Sequence, residues 1–372
     1  MRNRRADGDR RMNLNEVFAP PSAFPPGRCN AITDVAGVRV GHVTRIDGDD
    51  IRTGATAILP HGGNLLQDRV PAGLSVFNGH GKMIGATQIL ELGEIETPIV
   101  LTNTLAAPRA AEAILDWMLA WPGNECARSI NPIVGETNDG RLNAIHRRAL
   151  SVAEIRSAID AASGGPVSEG CIGAGTGTIA MGWKAGIGTT SRVLPQKLGG
   201  YTLGVLVQSN FPGSVRIGGV AIGRLLGIPP AVTLAGDELT SGSIMIVVAT
   251  DAPLSDRNLT RLARRAFAGV ARTEASFSNG SGDYAVAFST AESVRRTPKR
   301  RAAPSPVHDL PNERVSPLFE AAIEATEEAV INSLLCATTM TGRGGLTVEA
   351  LPIDQVTEIL RDRGVLDAEP TT

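Results

Sequence analysis

The chain reads as an α/β domain, on three observations. Short apolar segments of strand length recur between Gly, Asn, Asp and Pro residues; amphipathic helical patterns are spaced among them; and glycine supplies 42 of the 372 residues while aromatics are only 3 %. The first pattern belongs to a sheet with frequent turns, and the second to helices that lay one apolar face on it. Abundant glycine with few aromatic rings favours tight turns and close backbone packing.

Composition bounds the rest. Hydrophobic residues are 42 % and charged residues 20 %, the balance of a folded globular protein, and the length suits one large domain or two ordinary ones. A net charge of −2 leaves no electrostatic footprint for nucleic acid or an anionic membrane. Cys29, Cys126, Cys171 and Cys336 are widely scattered and form no CxxC pair, which argues against both a zinc site and a disulfide framework. The basic start, Met1-Arg2-Asn3-Arg4-Arg5, is followed by no apolar stretch before Pro20, and no run of membrane-spanning length follows. The expectation is a cytoplasmic protein with no membrane or nucleic-acid partner.

Taken in order, residues 1–30 are polar and proline-rich and read as an N-terminal extension; the domain is expected over 31–372. Segments 35–43, 55–59, 74–77 and 99–102 have strand character, and 108–121 places Ala111, Ile114, Leu115 and Met118 on one helical side. Segment 133–140 is a strand running into an Asx-type turn at Asn138-Asp139-Gly140, with a helix expected from 141 to 162. The glycine-laden block 170–188 lacks the spacing of a dinucleotide loop and has no helical pattern after it, so close strand crossing explains its glycines better. Segment 201–208 is a strand ended by the polar turn 209–213.

Ile244 to Ala249 then forms a run for a buried strand, with Gly242-Ser243 at its mouth. Ser255 is placed to cap a helix carrying Leu259, Leu262, Ala266 and Val270, and the turn 279–283 leads into a strand over 284–288. Segment 295–311, with five basic residues and four prolines, reads as a solvated loop. Ser316-Pro317 opens a helix that runs through Leu334 and ends before the turn 338–345.

Chemistry concentrates at Gly242-Ser243. By themselves these residues describe a turn into a core strand. Glycine also permits close approach to its carbonyl, however, and Ser243 Oγ is the adjacent hydroxyl. Attack on that carbonyl converts the amide to an ester; hydrolysis then cuts the chain and leaves Ser243 with both a nucleophile and an α-amine, whose ordinary pKa of about 7.7 to 8.0 suits proton transfer near neutrality. No serine lies in a G-x-S-x-G motif and no H-E-x-x-H spacing exists, so neither an α/β-hydrolase nor a metal centre is indicated, and His42, His61 and His80 read as structural.

An ordered set of motifs resembles a known family. Residues 30–37 (NAITDVAG), 38–42 (VRVGH), 60–64 (PHGGN), 94–98 (EIETP), 101–105 (LTNTL), 173–177 (GAGTG), 182–184 (GWK), Gly242-Ser243 and 279–283 (NGSGD) are similar, in this order, to stretches of the self-processing L-aminopeptidase/D-amidase-esterases and β-aminopeptidases, relatives of the ornithine acetyltransferases. The resemblance implies a four-layer α/β/β/α sandwich of the N-terminal-nucleophile-like type, and a precursor cut into an α chain of 1–242 and a β chain of 243–372. It further implies an assembly of αβ pairs, commonly tetramers, with no cofactor. The implied reaction is release of N-terminal residues from short peptides, amides or esters through an acyl-Ser243 intermediate, in some members from β-amino acid substrates.

By motif, Ser243 resembles the nucleophile, Ser281 and Asp283 the second serine and the acid of a Ser-Ser-acid relay, and Asn210 the oxyanion donor. Two departures stand out: members have Glu where this chain has Asp283, and often Tyr after the Asn-Asp-Gly turn where this chain has Arg141. A fixed cation there points to substrates bearing a carboxylate or a bulky polar group. The alternative is an acyltransferase passing the acyl group to an amine acceptor, although its characteristic members carry Thr at the nucleophile position. An uncut, non-enzymatic scaffold is disfavoured by the presence of the nucleophile and relay together.

Overall fold

A computed structural model of the chain describes residues 22–228 and 242–366. Two sheets carry the fold. The first has the order β1 (Arg39–Asp47), β2 (Ile51–Leu59), β6 (Ile99–Asn103), β7 (Ile133–Thr137), β4 (Met83–Ile84). The second has the order β10 (Ile187–Val193), β11 (Thr202–Asn210), β12 (Gly242–Thr250), β13 (Ser281–Ser289), β3 (Val70–Gly79), β5 (Glu94–Ile95), while β8 (Ile179–Ala180) and β9 (Trp183–Lys184) make a small separate hairpin. The principal helices are α1 (Ala86–Leu92), α2 (Ala107–Leu119), α3 (Val152–Asp160), α4 (Asp256–Arg272), α5 (Ser316–Leu335) and α6 (Ile353–Asp362).

Strand alternation sorts the apolar residues into three layers of contact. On β12, Ile244, Ile246 and Val248 join Leu259, Leu262 and Phe267 of α4 and Leu318, Ala325 and Leu334 of α5. The alternate residues Met245, Val247 and Ala249 face Ile58, Ile99, Leu101 and Ile133 of the other sheet. Beyond that sheet, Ala55, Ala57, Val100 and Val134 meet Ala110, Ile114 and Met118 of α2 and Ile155 and Ile159 of α3. The order helix, sheet, sheet, helix is the expected four-layer sandwich. Each sheet contains one parallel pair, β6 with β7 and β12 with β13, joined by a helix (α2 and α4 respectively) as parallel pairing requires.

Every residue of β12 is buried. Burying a large aliphatic side chain contributes about 1.5–3 kcal/mol, so the strand behind Ser243 is firmly held. Glycines let backbones touch between layers: a Cβ on Gly188 of β10 would lie 1.8 Å from Ala329 O of α5, and one on Gly186 would lie 1.8 Å from Gly170 O. The block 170–188 folds back on itself, Gly170 bridging Ile187 at the start of β10, with a turn at Gly173–Gly175 and the hairpin between them.

The helix expected over 141–162 is restricted to Val152–Asp160. Its start is fixed by a capping box, Ser151 with Glu154, while the preceding chain is drawn elsewhere: Asn143 Nδ2 donates to Asp139 Oδ1 and its Oδ1 accepts from Arg52 N. Helix α4 begins after Ser255 as expected, but the Ser255 hydroxyl donates to Asp309 and makes no cap bond. Segment 295–311 is also more than a solvated loop, because Arg295 Nη1 lies 2.8 Å from Asp68 Oδ2 and residues Pro298–Ala302 form a short helix. From Ser22 the extension already packs: Phe24 is buried, and Gly27 N donates to Ser191 Oγ.

Candidate active site

Ser243 is the second residue of β12 and sits between two neighbours in the sheet, Asn210 of β11 on one side and Gly282 of β13 on the other. It is 5 % exposed. In the continuous chain its hydroxyl donates to Gly242 O at 2.5 Å and accepts from Gly282 N at 3.3 Å. The expected nucleophile thus lies against the carbonyl of the peptide it would cut.

Ser281 and Asp283 lie on β13 beside it. Ser281 Oγ donates to Asp283 Oδ1 at 2.6 Å, and both residues are buried. Burial pushes the Asp283 carboxyl above its ordinary pKa, opposed by the donors Ser281 and Asn78. The expected link from Ser281 to Ser243 is not formed in this state. The parallel register places Ser281 opposite Gly242 and Gly282 opposite Ser243, so the Ser243 hydroxyl is taken by Gly242 O and Gly282 N.

Asn210 closes the other side. Its Oδ1 accepts from Ile179 N and its Nδ2 donates to Asn138 O, both at 3.0 Å, which fixes the amide plane and leaves the second N–H for another acceptor. Asn138 and Gly140 form the expected Asx turn through Gly140 N to Asn138 Oδ1 at 2.8 Å. Between them Asp139 is fully buried, accepting from Thr53 Oγ1 and Asn143 Nδ2, and desolvation raises its pKa to about 7. Arg141 follows on the turn and is exposed on the wall of a cavity of about 970 Å³. Asn210 and Gly242 also line this cavity, with Arg343 and Glu349.

No histidine among the described residues lines the cavity, although the His80 backbone N donates to Ser281 O at 3.2 Å. His42 Nδ1 contacts Thr56 Oγ1, and burial lowers its pKa to about 4; His61 Nε2 bonds to Asp68 O. Among the described residues no group of three or more His, Cys, Asp or Glu side chains is arranged to hold a metal ion, and no helix is long and apolar enough to cross a membrane.

Residues 30–348 match the model of peptidase family S58. The chain belongs to peptidase family S58. It is 41 % identical over 362 residues to the β-peptidyl aminopeptidase BapA of Sphingosinicella xenopeptidilytica, covering 92 % of this chain and 90 % of that protein. The solved L-aminopeptidase D-Ala-esterase/amidase of Ochrobactrum anthropi, described as a variant of the Ntn hydrolase fold, aligns with a TM-score of 0.87 at 36 % identity over 95 % of this chain and 99 % of that one. A Burkholderia β-aminopeptidase aligns with a TM-score of 0.84 at 37 % identity over 96 % and 100 %. This S58 chain is accordingly a hydrolase of the aminopeptidase type.

Three residues near the candidate site were not legible in the sequence. Asn78 reaches Asp283 because β3 carries one extra residue at this point: Asn78 pairs with Asp283 and Val76 with Tyr284, leaving Phe77 as the bulge. The strand reading stopped at Phe77, and a bulge leaves no mark in the apolar pattern. Glu136, buried at the end of β7, accepts from Lys82 N at 2.9 Å and from Thr104 Oγ1, and pairs loosely with Lys82 Nζ at 3.8 Å. A Cβ built on Gly81 would meet Glu136 Oε1 and Gly282 Cα at 3.4 Å each, which places this carboxylate over the β13 side of Ser243. The third, Arg343, comes from the turn after α5. The strand that carries Glu136 was legible; the approach of Glu136 to Gly81 and Gly282 was not.

Proposed function

We propose that this aminopeptidase activates itself by cutting between Gly242 and Ser243, and that Ser243 then carries the acyl group during release of N-terminal residues from short peptides, amides or esters. The observation that carries this is the 2.5 Å contact of Ser243 Oγ with Gly242 O on a fully buried strand. In the first step Oγ bonds to the Gly242 carbonyl carbon, the C–N bond breaks and the amine is protonated; water then hydrolyses the ester. The freed α-amine stays beside the hydroxyl and serves as proton acceptor without a histidine. In turnover the same Oγ attacks the substrate carbonyl, the leaving amine takes the proton, and water releases the acid.

The free N–H of Asn210 faces the developing oxyanion, a contribution of roughly 2.7–4 kcal/mol for one such donor. Ser281 and Asp283 complete the relay only once the cut frees the Ser243 hydroxyl from Gly242 O, and Glu136 attracts the substrate ammonium by displacing the loosely held Lys82. The similarity to proteins named β-peptidyl aminopeptidase and β-aminopeptidase supports including β-amino N-terminal residues among this chain's substrates. Assembly of αβ pairs into tetramers belongs to the same proposal. On a denaturing gel the purified protein should resolve into fragments corresponding to 1–242 and 243–372. Ser243→Ala should give one full-length band and no hydrolysis of β-alanyl or alanyl anilides; hydrolysis retained by that variant would remove Ser243 from its role.

A further inference from the structure

The cavity beside Ser243 carries two arginines for which the acyl chemistry has no use. Arg141 stands on the turn after β7 and Arg343 on the turn after α5, two segments 202 positions apart in sequence. They are pinned together: Arg343 N donates to Leu142 O at 2.8 Å, Arg343 Nη1 donates to Gly140 O at 3.2 Å, and a Cβ on Gly342 would lie 2.2 Å from Leu142 O. Both side chains are exposed on the cavity wall, and among the described residues neither pairs with a carboxylate. Glu349, on the same wall, accepts instead from Thr339 Oγ1 at 2.8 Å. Two guanidinium groups held on touching turns repel one another and favour an anion between them, most strongly a planar carboxylate.

The position of the pair adds direction. Ser243 lies between Gly282 and Asn210 in the sheet; Glu136 stands over the Gly282 side, and the cavity with Arg141 and Arg343 opens on the Asn210 side. Negative charge, nucleophile and positive charge therefore follow in that order. We propose that Arg141 and Arg343 bind a substrate carboxylate beyond the scissile bond, so that the site is matched to short zwitterionic peptides, with the ammonium at Glu136 and the free C-terminal carboxylate at the arginine pair. This rests on the hydrolase reading above and adds its substrate class.

The test compares β-alanyl dipeptides ending in a free carboxylate with the same dipeptides as C-terminal amides, using the self-cut enzyme. A β-alanyl anilide, which has no carboxylate, reports the acyl chemistry independently. Wild type should prefer the carboxylate by about tenfold in kcat/KM, mainly through KM, with the preference shrinking as salt rises. Arg141→Gln should bring the ratio to about 1, Arg141→Lys should keep part of it, and Arg141→Glu should invert it. Arg343→Gln should lower the ratio as well. A second arm, with the carboxylate moved to the side chain of the N-terminal residue, distinguishes the source: a preference there with none for the C-terminal carboxylate overturns the proposed direction. Anilide hydrolysis with a carboxylate-to-amide ratio near 1 in wild type, or a ratio unchanged in Arg141→Gln, overturns the arginine pair while leaving the hydrolase reading intact. Absence of all hydrolysis overturns both.

Discussion

The buried Asp283 carboxylate accepts from two side chains, Ser281 Oγ at 2.6 Å and Asn78 Nδ2 at 2.9 Å, and from the Ile244 backbone. Desolvation raises its pKa and each donor lowers it, so removing Asn78 moves the pKa further up. If the relay needs the ionised form, activity must then fail at a higher pH on the acid side. Asn78→Ala should shift the acid limb of the kcat/KM profile upward and lower the plateau by about tenfold, the scale of a lost hydrogen bond to a charged group of about 1.5 kcal/mol. An acid limb identical to wild type would show that Asn78 does not act through Asp283. Asp283 meets Ser281 directly, two residues away on the same strand.

At the scale of elements, the second sheet and α5 fit together through absent side chains. Gly188 of β10 lies under Ala329 O and Ser333 N, and its added methyl would meet backbone, which cannot turn aside as a flexible side chain can. Gly188→Ala should push α5 off the sheet and cost about 1–3 kcal/mol, the range for overpacking a close-packed interior, read as a lower urea midpoint with an unchanged slope. A midpoint equal to wild type would mean that the layers shift freely. The same closeness brings the turn after α5 to the turn after β7, and so sets Arg343 beside Gly140.

For the whole molecule, the proposed cut falls inside the sheet and not between domains. β12 and β13 would belong to the second fragment, yet β12 pairs with β11 and β13 with β3 of the first. The interlayer core likewise mixes both fragments, with Met245, Val247 and Val286 packed among Ile58, Leu74 and Leu101. The two pieces should therefore co-elute as one species in size-exclusion chromatography under native conditions, and separate only in denaturant. Separation of the fragments in buffer would contradict the interleaved sheet.

Sequence by itself determined which segments are strands and helices wherever a period ran long enough: 244–249 as a buried strand, α2 and α5 from their apolar spacing, and Gly242-Ser243 as the mouth of a strand. It also carried Ser243, Ser281, Asp283 and Asn210 through an ordered likeness to a family. It misjudged 141–151, where Asp139, Asn143 and Ser151 divert the backbone through side-chain hydrogen bonds that periodicity does not register. Only the tertiary structure decided that Ser281 faces Gly242 and not Ser243, since one residue of register sets which side chains face each other across two strands. Tertiary structure alone also put Asn78 on Asp283, Glu136 over Gly282 and Arg343 against the Arg141 turn. Those meetings depend on a bulge, a sheet-to-sheet distance and two glycine-lined approaches, each a property of how the layers close and not of any local stretch of chain.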